Sequence, residues 1–308
     1  MTQWEFPLAA VPGSVLSGSA LVALPPRKLG LVAMTCLQLK RCTDEVILQM
    51  ARSKGLKRRD GESLCDLLFA MHVLFPPMMM PTATGPCVVA CGHTHTAVVT
   101  SDGELHTFGN GDEGELGHRE QSFFPVNVPK RVDALVGKRV VHVAGGSHHT
   151  AVFTSDGDLF AFGDGDFGQL GHGGEDSEWV PRLVDALVGK LVVQVACGWY
   201  HTAVITSTGE LLTFGFGVCG QLGHGSEKNE LLPRRVEAFV GRWVVQVTCS
   251  ARYTAVISST GELFTFGWGH HGQLGHGGTE DRERVPRRVE ALVGIQVVQV
   301  ACGGEHTA

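Results

Sequence analysis

The segment Cys91-Gly-His-Thr-His-Thr-Ala-Val returns four more times along this chain. It recurs as Gly145-Gly-Ser-His-His-Thr-Ala-Val, as Cys197-Gly-Trp-Tyr-His-Thr-Ala-Val, as Cys249-Ser-Ala-Arg-Tyr-Thr-Ala-Val and last as Cys302-Gly-Gly-Glu-His-Thr-Ala, with a period of 52 to 54 residues. A fixed period restricts the fold more than any local propensity, because each unit has to bury its apolar face against its own neighbours.

Every unit follows one grammar. An alternating run such as Val192-Val-Gln-Val-Ala-Cys197 reads as a strand, Thr202 to Thr206 as a second and Glu210 to Phe214 as a third. The second and third are joined at Ser101-Asp102-Gly103, Ser155-Asp156-Gly157, Ser207-Thr208-Gly209 and Ser259-Thr260-Gly261, turns in which Gly supplies the positive φ of a tight hairpin. Gly-Gln-Leu-Gly-His or a close variant follows, then a variable acidic loop, then Pro-Arg-Arg-Val or similar leading to Ala-Leu-Val-Gly. Four strands per unit without helical periodicity predict all-β propeller repeats, about four of them in this chain. Approximate repeat windows are 104–156, 157–208, 209–260 and 261–308.

Gly209-Glu-Leu-Leu-Thr-Phe-Gly-Phe-Gly and Gly220-Gln-Leu-Gly-His resemble the signature of the regulator-of-chromosome-condensation repeats, over residues 87–308. The resemblance implies a ring of seven blades, whereas the sequence stops at Ala308 inside a fifth unit. The expectation is a truncated chain, or self-association with a second copy that completes the ring. In that family the founding member exchanges guanine nucleotide on a Ran-like GTPase through a wedge inserted in the propeller face. The even periods here leave no room for one. Plant ultraviolet-B photoreceptors of the family carry repeated Gly-Trp-Arg-His-Thr as chromophore. Only Gly198-Trp-Tyr-His-Thr202 approaches it, once, with Tyr200 in place of Arg.

Several motifs look chemical but have simpler readings. Gly-x-Gly-x-x-Gly occurs in each repeat, at Gly109/Gly111/Gly114, Gly163/Gly165/Gly168, Gly215/Gly217/Gly220 and Gly267/Gly269/Gly272. A dinucleotide site needs a helix directly after the glycines, and here another Gly follows within one turn, so tight backbone turns are expected. Eight of the 15 His fill two repeated slots: His95, His149, His201 and His306, and His118, His172, His224 and His276. They are read as imidazoles hydrogen-bonded to loop backbone rather than metal ligands, and Tyr253 replaces one of them. Cys91, Cys197, Cys249 and Cys302 share a slot with Gly145, which suits a packed strand in which Cys acts as a small apolar residue. No catalytic residue, metal or cofactor is read, and the chain is not taken for an enzyme.

Charge divides the chain. Residues 1–86 carry 9 Lys and Arg against 6 Asp and Glu, and residues 87–308 carry 16 against 25, giving about +3 and −9. An acidic array is a poor grip for phosphate backbones, so direct DNA binding is not expected. Nine Cys without paired-ligand spacing suggest reduced thiols in a cytoplasmic or nuclear setting. The stretch from Val11 to Leu24 is broken by Pro12, Gly13 and Ser14 and has no preceding positive charge, so neither a signal peptide nor a membrane span is read.

Residues 1–75 read as a small α-helical module. Leu29, Val32, Ala33 and Cys36 lie on one helical face, Thr43 caps a second helix that ends at Lys54-Gly55, and Ser63-x-x-Asp66 opens a third with Leu64, Leu67, Leu68 and Met71 as its stripe. Residues 76–86 form a Pro- and Met-rich linker. Val15-Leu16, Leu24-Pro25, Leu29, Val32-Ala33, Thr35-Cys36 and Leu39 resemble an F-box, which implies docking on a ubiquitin-ligase adaptor. A plain helical cap over the first blade's edge is the alternative.

The function expected is a non-catalytic protein-interaction scaffold, with substrate selection for ubiquitination as its finer form and exchange on a Ran-like small GTPase as the alternative. Partner contacts are assigned to the loops that vary between repeats: Glu175, Asp176, Glu178 and Trp179; Glu227, Lys228 and Glu230; and Glu280, Asp281 and Arg282.

Overall fold

A computed structural model describes residues 88–119, 125–278 and 282–308. The amino-terminal module, the linker, Glu280 and Asp281 lie outside the described residues. Among the described residues the strands form four antiparallel sheets of four, each in simple sequential order. The first sheet is β1 (Val88–Cys91), β2 (His95–Val99), β3 (Leu105–Gly109) and β4 (Val126–Arg131). The second is β5 (Val140–Gly145), β6 (His149–Thr154), β7 (Leu159–Gly163) and β8 (Glu178–Leu183). The third is β9 (Val192–Cys197), β10 (His201–Thr206), β11 (Leu211–Gly215) and β12 (Glu230–Arg235). The fourth is β13 (Val244–Cys249), β14 (Tyr253–Ser258), β15 (Leu263–Trp268) and β16 (Arg282–Arg288). These sheets fit propeller blades. The second, third and fourth blades each straddle two of the sequence windows and the first begins before them, because the window boundaries fall at the hairpin turn rather than between sheets.

The core lies between consecutive blades. Ala151, Phe153, Leu159 and Leu170 of the second pack with Val204, Leu212 and Phe214 of the third, and Ala203, Ile205 and Leu211 of the third pack with Val256, Phe264 and Phe266 of the fourth. Middle strands are therefore covered on both faces, and every residue of β6, β10 and β14 is buried. This explains why they read as near-continuous apolar runs rather than alternating ones. Phe162, Phe214 and Phe266 are fully buried, each seated on the Leu-Gly-His glycine of the blade before it. At Gly171 (φ +74°) an added Cβ would stand 2.8 Å from the Phe214 ring, so this motif glycine makes a flat seat for the next blade.

Polar stitches run through the same seams. His95 Nε2 is 2.8 Å from Thr150 Oγ1 in the next blade, His149 Nε2 is 3.0 Å from Thr202 Oγ1, and His201 Nε2 is 3.0 Å from Thr254 Oγ1. Those hydroxyls donate to the carbonyls of Glu115, Gln169 and Gln221, each at 2.8 Å. A hydroxyl has one proton, so the imidazole Nε2–H must donate, and burial keeps the ring neutral. Where Tyr253 replaces His, its hydroxyl donates to the His306 carbonyl at 2.6 Å. The first strands are joined as well. The Gln194 amide exchanges two 3.1 Å hydrogen bonds with the Val247 backbone, and Gln246 does the same with Val300 at 2.9 and 3.3 Å.

The second His slot works within a blade. His118, His224 and His276 reach Thr107, Thr213 and Thr265 hydroxyls at 2.9 to 3.0 Å, and His172 lies 3.4 Å from the Ala161 carbonyl, where the Thr is missing. The expected loop-backbone partners are thus mostly threonine side chains from β-strands. The Cys slot does sit against a neighbouring strand: Cys197 Sγ points at the Ala144 carbonyl and Cys249 Sγ at the Ala196 carbonyl, both at 3.7 Å. Burial pushes the Cys197 thiol up to about 12 and Cys302 to about 11, which leaves neither as a thiolate nucleophile near neutral pH.

Thr254→Val keeps the shape of the side chain but orphans both His201 Nε2–H and the Gln221 carbonyl. A loss of about 1–3 kcal/mol per orphaned group is expected. It is read as a lower urea midpoint.

Glu115 stands where the other repeats have Gln169, Gln221 and Gln273, and it is fully buried. One carboxyl oxygen accepts from Glu113 N at 3.0 Å, and the other has no partner among the described residues. Burial raises this carboxyl from 4.5 to about 7. Its stabilising contribution is complete below pH 4.5 and is lost as pH rises through 7. The seam histidines have the opposite sign. Burial lowers His95 to about 4 and His149 and His201 to about 3, so their contribution is present above 6.5 and lost as pH falls towards those values. Glu115→Gln should raise the urea midpoint progressively more from pH 5 to pH 8. A difference from wild type that does not change with pH would refute the assignment.

Candidate functional site

Antiparallel order places two sets of loops on one face of the blades: the loops from first to second strand and the connections from third to fourth. The opposite face carries the hairpin turns and the short 3-10 turns that begin at Asp133, Asp185, Glu237 and Glu290. On the first face, each Gly-x-Gly-x-x-Gly folds as two successive tight turns. Gly168 N bonds Gly165 O and Gly171 N bonds Gly168 O, at 2.8 and 3.0 Å, and the pattern repeats at Gly217, Gly220 and Gly223. No helix follows, so these glycines shape the loop and offer no helix N-terminus to a pyrophosphate.

The variable positions inside these near-constant motifs meet in an aromatic rim. From the strand loops come His93, His148, Trp199, Tyr200 and Arg252, from the end of β15 comes Trp268, and from the glycine turns come Phe167, Phe216, His270 and His271. Ring centroids of His93 lie 6.1 Å from His148 and 6.5 Å from Trp199. Trp199 leads to Tyr200 at 6.4 Å, and Tyr200 and Phe216 each stand over Phe167 at 5.1 Å. Beyond Trp199 the Arg252 guanidinium lies over two indoles, 5.8 Å from Trp199 and 5.5 Å from Trp268. Trp268 stacks on His270 at 5.9 Å and meets His271 at 5.1 Å. His271 Nε2 is 3.6 Å from Glu305.

This rim is held stiffly. Each strand loop has only three residues, closed at its base by a bond such as Gly198 N to His201 O at 2.8 Å. Neighbouring loops are tied by Ser147 N to Trp199 O at 3.1 Å and His93 N to Gly146 O at 3.2 Å. Trp199 is nonetheless 42% exposed and Val218 40%, a large apolar presence on two constrained loops of one face. Chemistry changes around the face. The two residues before the last motif glycine are Asp112-Glu113, Asp166-Phe167, Val218-Cys219 and His270-His271 in blade order, from acidic through apolar to imidazole.

The partner residues assigned from sequence divide between the connections of this face and the outer strands. Glu175, Asp176 and Lys228 are exposed in third-to-fourth connections. Glu178, Trp179, Glu230 and Arg282 are not in loops; they belong to β8, β12 and β16. Edge strands tolerate Pro and charge, and that composition made them read as loops. Glu178 pairs with Arg182 and Glu230 with Arg234 along the same strand, and Glu227 binds Arg282 and Arg284 of the next blade at 3.3 and 2.9 Å. These charges serve the frame. The sequence reading missed the rim because it weighted what recurs; the available signal was the changing pair inside each constant glycine motif. Among the described residues no three His, Cys, Asp or Glu converge as a metal site.

The chain is similar to the ultraviolet-B receptor UVR8 of Arabidopsis thaliana, 37% identical over 238 residues that make up 76% of this chain and 53% of that protein. It is 41% identical over 221 residues to the human E3 ubiquitin-protein ligase HERC2, covering 71% of this chain and 4% of HERC2. Prp20p of Saccharomyces cerevisiae, a structure described with its binding to Gsp1p and histones, superposes with a TM-score of 0.63 at 22% identity, over 71% of this chain and 54% of that one, a likeness of fold. The chain thus spans about half of the first relative and a small part of the second. The family model of the RCC1-like domain matches residues 68–308, and on that match, with its repeats laid out as four-stranded blades, this chain belongs to the RCC1-like domain family.

Proposed function

We propose that this chain is a non-catalytic protein-interaction scaffold that engages its partner through the aromatic rim. The observation that carries this reading is the contrast between frame and rim. Histidines, threonines and glutamines that recur are spent on seams between blades, while the side chains that differ from blade to blade are gathered on one stiff, partly apolar face. Rigid aromatic side chains are efficient binding anchors because little conformational freedom is lost when they are covered. Outer-strand arginines are neutralised within the chain, Arg131 by Glu104 and Asp133, Arg235 by Glu210 and Glu237, and Arg288 by Glu262 and Glu290, which disfavours a phosphate-backbone ligand.

Guanine-nucleotide exchange is the weaker alternative, since among the described residues the third-to-fourth connections of the second and third blades are of equal length and neither carries an inserted wedge. The double variant Trp199→Ala/Tyr200→Ala should abolish partner recovery in quantitative affinity purification. Val188→Ser, a change at an exposed position on the opposite face, should leave it intact. Equal loss in both variants, or in neither, refutes the rim as the docking surface.

The finer form of the proposal is that the rim selects substrates for ubiquitination. It rests on the F-box resemblance of residues 15–39 and on kinship with HERC2, whose name describes a ubiquitin ligase. Deleting residues 1–75 should then remove a ubiquitin-ligase adaptor from the purified complex while rim-dependent partners stay. Absence of any adaptor from the full-length complex would sink this form alone.

A further inference from the structure

Arg252 differs from the outer-strand arginines. Arg131, Arg182, Arg234, Arg235, Arg287 and Arg288 each reach a carboxylate of this chain. Arg252 is exposed, and among the described residues it reaches no carboxylate and no hydrogen-bond acceptor; its contacts are the Trp199 and Trp268 rings. Among the described residues, acids on this side of the face have partners: Glu227 pairs with Arg282 and Arg284 and Glu230 with Arg234, while Glu305 lies 3.6 Å from His271. Two indoles position the guanidinium and offset part of its charge, yet ring faces do not satisfy its N–H donors as a carboxylate would. A planar fork held in place in advance, beside an apolar surface, is the arrangement that captures a carboxylate bidentately with little ordering still to be done.

Resting on the rim as the docking surface, we infer that Arg252 is the anion-recognition point of that surface, and that it takes an Asp or Glu carboxylate from a partner segment. The apolar residue beside that carboxylate covers the cluster of Tyr200, Phe167 and Phe216 rings, which Tyr200 joins to Trp199. A carboxylate is favoured over a phosphate because the second blade brings Asp164, Asp166, Glu175 and Asp176 to the same face, and a doubly charged group would meet more repulsion there. The partner class is thus an acidic, apolar linear segment of another protein.

The test uses the full 308-residue chain and fluorescein-labelled nonapeptides with a central Glu flanked by Phe and Leu, together with versions carrying Gln or phosphoserine in place of Glu. Fluorescence anisotropy should show binding of the Glu peptides that falls about 10- to 100-fold for the Gln versions, as expected when a charge-assisted bond is removed. Arg252→Gln should lower affinity for the Glu peptides by the same factor and leave the Gln peptides unaffected, so that the two changes are not additive. Arg252→Glu should reverse the preference towards a peptide with Lys at the centre. An unchanged thermal midpoint in each variant shows that the frame is intact.

No binding by any Glu peptide, equal binding of Glu and Gln peptides, tighter binding of phosphoserine peptides, or affinity unaffected at Arg252→Gln would each overturn the inference. Partner recovery that depends on Trp199 and Tyr200 but not on Arg252 would retire this inference and leave the rim as the docking surface. Recovery indifferent to all three would retire both.

Discussion

The seam between consecutive blades is the contact on which the rest of this structure depends. A four-stranded sheet with two apolar faces is insoluble alone, and the second and third blades resolve that by giving one face to the blade before and one to the blade after. The Phe214 ring seated on Gly171 illustrates the apolar half of the contact, and His149 donating to Thr202, which donates in turn to Gln169, illustrates the polar half. Both are needed. The ring supplies area, while the hydrogen-bonded chain fixes the register, because a shifted blade would leave a neutral imidazole and a carbonyl buried without partners. The same contact explains the motif: the Gly, the His and the Thr recur because the seam recurs, and no ligand is required to account for them.

That requirement partitions the chain's chemistry. Residues consumed in seams vary little, so most variation falls at positions that point away from them. The loop between first and second strands makes the division clear, since Trp199 and Tyr200 immediately precede His201, which is wholly buried. One end of the loop is therefore pinned by the seam and the other by the strand, and its two free side chains are presented at a fixed height on the face. Rim geometry is inherited from the frame, and this is how a repeat protein changes its recognition surface without changing its fold.

How legible this was in the sequence follows from the same partition. The blades could be read because period, turn glycines and apolar runs all repeat and agree. The outer strand could not, since Glu178–Leu183 carries Pro181 and charges at an edge where no neighbour penalises them, and Glu178 looked free when it pairs with Arg182 four residues on. The rim was illegible for a different reason. Phe167 and Phe216 sit at unlike positions of the glycine motif and become neighbours only when blades stack, a relation that no single repeat contains. The histidines were half legible: their structural role could be read, but their Thr partners lie about fifty residues away in the next blade.

Departures from the repeat then become the informative positions. In the fourth blade Tyr253 takes the histidine slot and keeps the seam by donating to the His306 carbonyl, a longer reach than an imidazole has. The residue before it is Arg252, at the slot filled by Tyr200 in the third blade and His148 in the second. A buried change that the seam has to accommodate thus stands directly beside an exposed change that it does not. The first blade shows the converse with Glu115, where a departure inside the frame has no evident use at the surface and puts a titratable group near neutrality into the seam beneath Asp112 and Glu113. A departure that the frame absorbs without loss points outward to recognition, whereas one that leaves a buried oxygen without a partner points inward to stability, and this criterion separates the two sites without reference to any relative.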